Sequence, residues 1–281
     1  MYDLFIKVGI SLIFIICLTI GLITAFAGSL LGLGGGVILI PTLLFLHQYS
    51  ASFAWATPQT IVSISLIVMI FTALSSTISY AKKNRVDFRT GILFLLGSIP
   101  GGILGSWLNQ FVDVDRFSLY FGILIIFLSM LMFIKREPVE HQVTPQNARG
   151  LRTFVVNGET YYYTVSVWLS SFISLIVGML SGMFGIGGGA MFVPTMILLF
   201  RIPPHIATAT SMFLILITSL ISSVTHIILG HMTWTYVLFF IPGAWVGGII
   251  GAKVNQLLKS RILEWLLRFV LIVIGLRLMF S

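Results

Sequence analysis

The chain carries one unusual motif twice. GLGGGVILIPTLL begins at Gly32 and GIGGGAMFVPTMI begins at Gly185, and each interrupts a long apolar run. Glycine weakens a helix and proline stops one, so each copy predicts a break in a helix that would otherwise continue. In register, Gly32, Gly34, Gly35 and Gly36 pair with Gly185, Gly187, Gly188 and Gly189, and Pro41-Thr42 pairs with Pro194-Thr195. Further matches follow in the same order. Ala56-Thr57 pairs with Ala207-Thr208, and Ser75-Ser76 with Ser222-Ser223. Gly97, Gly101 and Gly105 pair with Gly243, Gly247 and Gly251, and Asn109-Gln110 with Asn255-Gln256. An ordered string of matches marks an internal duplication, which any fold for this chain must accommodate.

The solvent of both halves is lipid. Of 281 residues 58% are hydrophobic and 9% charged, with a mean hydropathy of +1.07. Apolar runs of about 20 residues recur, the length that crosses a hydrocarbon core as helix. The alternating segments of about ten residues that build a membrane barrel are missing. The net charge of +8 is read as basic cytoplasmic loops and not as a nucleic-acid surface. The single cysteine, Cys17, allows no intramolecular disulfide, and no Cys/His framework suggests a metal. Ala25-Phe26-Ala27 resembles a signal-peptidase site, but the run before it has a counterpart in the second half and reads as a retained span.

The patterning predicts an all-α polytopic protein. Helices are expected at 8–27, 37–48, 59–80, 90–109 and 116–134, and again at 164–184, 190–201, 206–229, 234–253 and 262–280. Residues 1–134 and 164–281 form the two transmembrane repeats, and 135–163 a polar cytoplasmic linker. Within the linker, TFVVNGETYYYT reads either as a hairpin around Asn157-Gly158 or as an extended strap. The second helix of each half, about 12 residues and about 18 Å, is too short to cross the roughly 30 Å core. Each half is therefore expected to open with a V-shaped broken hairpin and continue with three spans. That odd count makes the halves inverted. The loop KKNRVDFR is basic while its counterpart LGHMTW is not. Lys253, Lys259 and Arg261 are basic where the first half has Asp113, Asp115 and Arg116, and Lys135-Arg136 is basic again. Both termini are then expected outside the cytoplasm.

A broken turn at membrane depth leaves amide N–H groups unpaired, which is costly in hydrocarbon unless they meet protein or a wet cavity. Helices starting near Val37 and Ala190 aim such amides, and positive dipole ends, at one region. Glycine lets an anion approach the backbone closely. The expected site is Gly34, Gly35, Gly36 and Pro41 with Gly187, Gly188, Gly189 and Pro194. Hydroxyl and amide groups of Thr57, Gln59, Thr60 and Ser63, and of Thr208, Thr210 and Ser211, would add donors, or would only cap their helices. The competing reading is that the glycines merely let helices pack closely, which is the reading given to the four-residue ladders Gly97/Gly101/Gly105 and Gly243/Gly247/Gly251. His226 is the candidate for proton coupling, against a hydrogen-bonded structural role. Glu264 and Arg268 are expected to pair, and Trp55 and Trp234 to anchor at the interface. No carboxylate sits deep in an apolar run, which argues against a membrane hydrolase built on an acid/base pair or a metal. No GK[ST] follows either cluster, so a phosphate-binding loop is excluded as well.

The duplicated G-x-GGG-x4-P motif, the Ala-Thr that follows, the serines of the third segment, the glycine ladders and the polar middle linker resemble the sulfite exporter TauE/SafE family. The resemblance covers essentially the whole chain. It implies transport of a small sulfur oxyanion, such as sulfite or an organosulfur oxyanion, across the bacterial cytoplasmic membrane. Its motif positions here are Gly34–Gly36 with Pro41 and Gly187–Gly189 with Pro194. Pro58-Gln59 stands where the second half has Ala209-Thr210, so unequal half-sites are expected. The expectation is a secondary transporter, not an enzyme, whose halves rock in alternating access. It needs no cofactor and has a small anion and the lipid bilayer as partners. A passive anion channel and a structural scaffold are the alternatives.

Overall fold

The computed structural model describes residues 2–112, 117–131, 151–156, 158–230 and 233–279. The expectations placed on Asp113, Asp115 and Arg116, on Lys135-Arg136, on Asn157, and on His231 and Met232 of LGHMTW lie outside the described residues. The described part holds ten α-helices and one β-hairpin. The first half contains α1 Tyr2–Leu31, α2 Gly36–Tyr49, α3 Pro58–Ala81, α4 Phe88–Leu108 and α5 Phe117–Leu131. After β1 Leu151–Val156 and β2 Glu159–Thr164 come α6 Val167–Phe184, α7 Gly189–Leu198, α8 Pro204–Ile228, α9 Trp234–Leu257 and α10 Ser260–Met279. Six helices are long and apolar enough to cross a membrane, and the chain is an all-α polytopic membrane protein. The largest boundary difference is at the start of α1, where the helix extends six residues before the expected residue 8.

Local chemistry explains the helix starts. Thr57 caps α3 with Pro58 in its first turn, and Asp87 caps α4 by accepting the Thr90 N–H at 3.1 Å. Proline does not end the short helices, in keeping with the expected spans 37–48 and 190–201. Pro41 and Pro194 lie inside α2 and α7, which continue past them. Each ring removes one N–H, which frees the carbonyl four residues earlier, at Val37 and at Ala190, without ending the helix.

The principal packing is between the halves: α1 lies against α9 and α4 against α6. The glycine ladders make both pairs possible. A methyl group built on Gly97, Gly101 or Gly105 would fall 1.9, 2.2 or 1.8 Å from the carbonyl oxygens of Ser171, Leu175 and Met179. On Gly243, Gly247 or Gly251 it would fall 2.1, 2.3 or 2.3 Å from those of Leu18, Leu22 and Phe26. Backbone meets backbone, as small residues allow in membranes. Residue numbers rise together along both contacts, so each pair is parallel. Helices α3 and α8 cross at the centre, and α5 packs on α10. Glu264 and Arg268 do pair on α10.

The register between halves differs from the one read off matching letters. Gly36 to Pro58 is 22 residues, while Gly189 to Pro204 is 15, because α2 is longer and a 3-10 turn at Ala51–Phe53 follows it. Helix starts therefore align Pro58 with Pro204. Thr57 stands opposite Pro203 and not Thr208, and Ser76 opposite Ser222. Pro58-Gln59 does not stand opposite Ala209-Thr210.

The linker contains the hairpin. Strands β1 and β2 are antiparallel, with Val156 opposite Glu159 and Gly158 at φ 86° in the connection. The hairpin docks through the buried Tyr163, whose hydroxyl donates to the Asp87 carboxylate. Burial, and then the Asp87 charge, pushes the Tyr163 phenol above its ordinary value. The Asp87 N–H donates to the Thr210 hydroxyl at 3.0 Å, and Arg85 donates to the Gln256 carbonyl at 3.2 Å. One face thus gathers the hairpin, the α3–α4 connection, the start of α8 and the end of α9. At the other end of α3, Trp55 stacks on Tyr236 with ring centroids 3.9 Å apart.

Candidate functional site

Both glycine clusters are unwound and meet in the middle of the molecule. Gly32, Gly34 and Gly35 have φ of 75°, 80° and 97°, and Gly185, Gly187 and Gly188 have 70°, 64° and 77°. All are left-handed, which an L side chain adopts only with strain. The Leu33 and Gly34 amides cap α1 by donating to the Gly28 carbonyl at 2.7 and 3.2 Å. In α2, Ile38 and Leu39 both donate to the Gly35 carbonyl. In α7, Met191 and Phe192 both donate to that of Gly188. This leaves the Gly36 and Val37 amides, and those of Gly189 and Ala190, without a backbone acceptor among the described residues. Two helix N-termini thus bring free amides and positive dipole ends to one buried region.

The two turns interlock. A methyl group on Gly36 would fall 2.8 Å from the Gly185 carbonyl oxygen, and one on Gly189 would fall 2.6 Å from that of Gly32. Two serines at equivalent places hold them, each reaching across from the other half. Ser65 donates to the Gly185 carbonyl at 2.8 Å, and Ser211 to the Gly32 carbonyl at 2.8 Å. Met69 and Ile215, again equivalent, seal the centre. Methyl groups on Gly34 or Gly187 would meet the Met69 sulfur at 3.1 or 2.6 Å and Ile215 at 3.0 Å in both cases. Gly32–Gly36 and Gly185–Gly189 are all buried. A groove of about 690 Å³ lies elsewhere, along Phe111, Tyr120, Phe127 and Met183. Both turns are thus enclosed by protein on the sides that Met69, Ile215, Ser65 and Ser211 cover.

The polar residues picked out beside the motif divide. Thr208 and Ser211 reach the first turn, where a methyl on Gly32 would fall 2.9 Å from the Thr208 Cα and 2.7 Å from the Ser211 hydroxyl. Thr210 faces the α4 start. Thr57 and Thr60 bond to each other at 3.0 Å, and the Gln59 carbonyl accepts from Ser63 at 2.8 Å. Thr57, Gln59 and Thr60 lie about 8–12 Å along α3 from Ser65, at five to eight residues of 1.5 Å rise. The sequence reading missed Ser65, Met69 and Ile215. A better register, aligning Pro58 with Pro204, would have exposed Ser65 and Ser211 as a matched pair.

His226 is wholly buried and its Nε2 lies 3.2 Å from the Gly182 carbonyl, to which it donates. Its equivalent in the first half is Tyr80, whose hydroxyl donates to the Ser29 carbonyl at 2.8 Å. Ser29 and Gly182 are themselves equivalent, near the ends of α1 and α6. Two chemically different side chains thus tie down equivalent carbonyls in the two halves. His226→Gln keeps an N–H donor and should leave the pH profile of transport unchanged between about pH 5.5 and 8, where histidine titrates. Flux in proteoliposomes across that range checks it.

The family model for the sulfite exporter TauE/SafE matches residues 17–278. A probable membrane transporter protein of Bacillus subtilis, YunE, is 41% identical over 269 residues, covering 95% of this chain and 98% of that protein. A probable membrane transporter protein of Xylella fastidiosa is 29% identical over 86% of this chain and 83% of its own. A probable membrane transporter protein of Methanocaldococcus jannaschii, MJ0441, is 27% identical over 92% of each. No solved structure matches. Apolar spans, duplicated glycine breaks and these similarities agree: the chain belongs to the TauE/SafE family and is a multi-pass membrane transporter of the cell membrane.

Proposed function

We propose that the protein is a secondary transporter that moves a small anion, sulfite or an organosulfur oxyanion, by alternating access. The observation that carries this is the pair of unwound turns whose free amides converge at the centre. Amides at helix starts bind oxyanions without any Lys or Arg, and broken helices at the midplane are where inverted-repeat transporters hold substrate. Gly34–Gly36 and Gly187–Gly189 would contact the anion, with Ser211 and Thr208 beside them.

The halves are read as inverted. Tyr236, at the start of α9, stacks on Trp55, just before α3, so α9 runs with α3 and against α4. Since α1 is parallel to α9 and α6 to α4, each helix opposes its counterpart. The face with the hairpin is read as cytoplasmic, because Lys82, Lys83 and Arg85 share it with Lys253, Lys259 and Arg261. The linker is then cytoplasmic. The seal by Met69 and Ile215 favours a carrier over an open channel.

The test is a thermal-shift screen of the purified protein against sulfite, thiosulfate, sulfoacetate, sulfate and simple carboxylates, followed by flux in proteoliposomes. A saturable shift and saturable flux with one sulfur oxyanion are expected. Flux that rises linearly without saturation would sink the carrier in favour of a channel, and no shift with any anion would leave a scaffold.

A further inference from the structure

Unpartnered buried oxygens form a row along the contact of α4, α6 and α8. Ser106 and Asn109 at the end of α4, Ser181 on α6, and Ser219, Ser222 and Ser223 on α8 are at most 1% exposed. Each has a side-chain oxygen with no hydrogen-bond partner. The helices bring them together. A methyl group on Gly102 would fall 3.0 Å from the Ser222 hydroxyl, and one on Gly182 would fall 2.8 Å from that of Ser106. Ser219, Ser222 and Ser223 share a face of α8 by their spacing of three and four. Asn109 gives its amide to the Met183 carbonyl at 2.7 Å and keeps its Oδ1 unpaired.

The equivalent region around α3, α1 and α9 is different. Ala252 and Ala73 stand for Ser106 and Ser219, and Gly28 stands for Ser181. Ser76 is engaged with the Ser29 hydroxyl at 2.7 Å, and Ser29 donates to the Gly248 carbonyl at 2.8 Å. Only Thr77 and Asn255 keep an unpartnered oxygen there, among the described residues. One side is thus largely satisfied, and the other holds seven such oxygens, the Ser98 hydroxyl of α4 included, whose burial costs stability unless something binds them.

We propose that the part of this row around Ser106 and Ser222 binds one sodium ion, which accompanies the transported anion. The donors are neutral oxygens, the ligand class of a hard cation. No group of three or more His, Cys, Asp or Glu able to hold a metal occurs among the described residues, which argues against a divalent ion. Helix α6 ends here at Phe184, so its negative dipole end faces the cluster. The ends of broken helices hold coupling ions in other transporters. The cation would sit at the end of α6 and the anion at the start of α7, joined by the Gly185–Gly188 turn. Each then favours the other; the coupling, though not the cation site itself, rests on the anion reading above.

The test is thermal unfolding of the full-length protein in detergent, with sodium chloride exchanged for choline chloride at constant ionic strength and no sulfur oxyanion present. A saturable rise in Tm with sodium and none with choline is expected. Ser106→Ala with Ser222→Ala should raise the half-effective sodium concentration at least tenfold. The Tm without sodium should stay equal or rise, since an unpartnered hydroxyl is removed. The same response to choline, or an unchanged sodium response in the double variant, overturns the proposal. Sulfite, thiosulfate and sulfoacetate are titrated separately, in choline and again in saturating sodium. A sodium response with no anion response in either medium refutes the anion reading alone, and an anion response without a sodium response refutes the sodium site alone.

Discussion

Gly35→Val should nearly abolish sulfite flux in proteoliposomes while the protein still inserts and purifies. Gly35 has a φ of 97°, and a methyl group there would fall 2.9 Å from the backbone carbonyl of Thr24 in α1. Valine adds a β-branch against that immobile oxygen. The strain, about 1–3 kcal/mol, is small beside a total stability of about 5–15 kcal/mol. The fold therefore survives while the turn shifts and carries the Gly36 and Val37 amides with it. A displacement of about 1 Å in positioned groups costs roughly a hundredfold in rate, and a fall of that order is expected. Gly188→Val is the matched variant with a milder expectation. Its φ is 77°, but the nearest atom is the Phe192 ring edge at 2.6 Å, a side chain that can turn aside. Unchanged flux in Gly35→Val would remove the turn from the mechanism.

Gly105→Leu should prevent assembly altogether. Its Cβ would fall 1.8 Å from the Met179 carbonyl oxygen and 2.6 Å from the carbon bonded to it. Both belong to backbone, so α4 and α6 must separate. Separation forfeits the contacts of Gly97 and Gly101 and the Asn109 bond to Met183. The losses exceed those of an ordinary core substitution of about 0.5–3 kcal/mol. Size-exclusion chromatography should show aggregate in place of a monodisperse peak. Ile103→Leu, on the same helix but 46% exposed toward lipid, should behave as the parent protein. A monodisperse Gly105→Leu protein would mean that the helix contact is looser than described.

The breaks were legible because they rest on residue types with strong local physics. A glycine cluster at Gly32–Gly36 has few uses inside an apolar run, and the helix that follows it was placed within one residue of Gly36–Tyr49. The ladders declared themselves as packing surfaces by their spacing, yet nothing local tells Gly97 that its partner is Ser171. That depends on which helices the topology brings together. The pairing of Thr57 with Thr208 failed because identical letters outweighed the longer connection of the first half. Ser65 went unnoticed for the same reason. The hairpin stayed open as an alternative because its docking depends on Asp87, a residue more than 60 positions away from it.

The interleaving of the chain also limits how it can move. Helices α1 and α9 touch along their backbones, and so do α4 and α6, leaving no side-chain layer that might slide. Each of these couples contains one member from either copy of the ancestral unit. In the proposed transport cycle the rigid levers would be hybrids assembled from both copies, hinged at the connections around Gly32–Gly35 and Gly185–Gly188. Duplication supplied the parts, but the lines along which the machine divides do not follow the point where the gene was doubled.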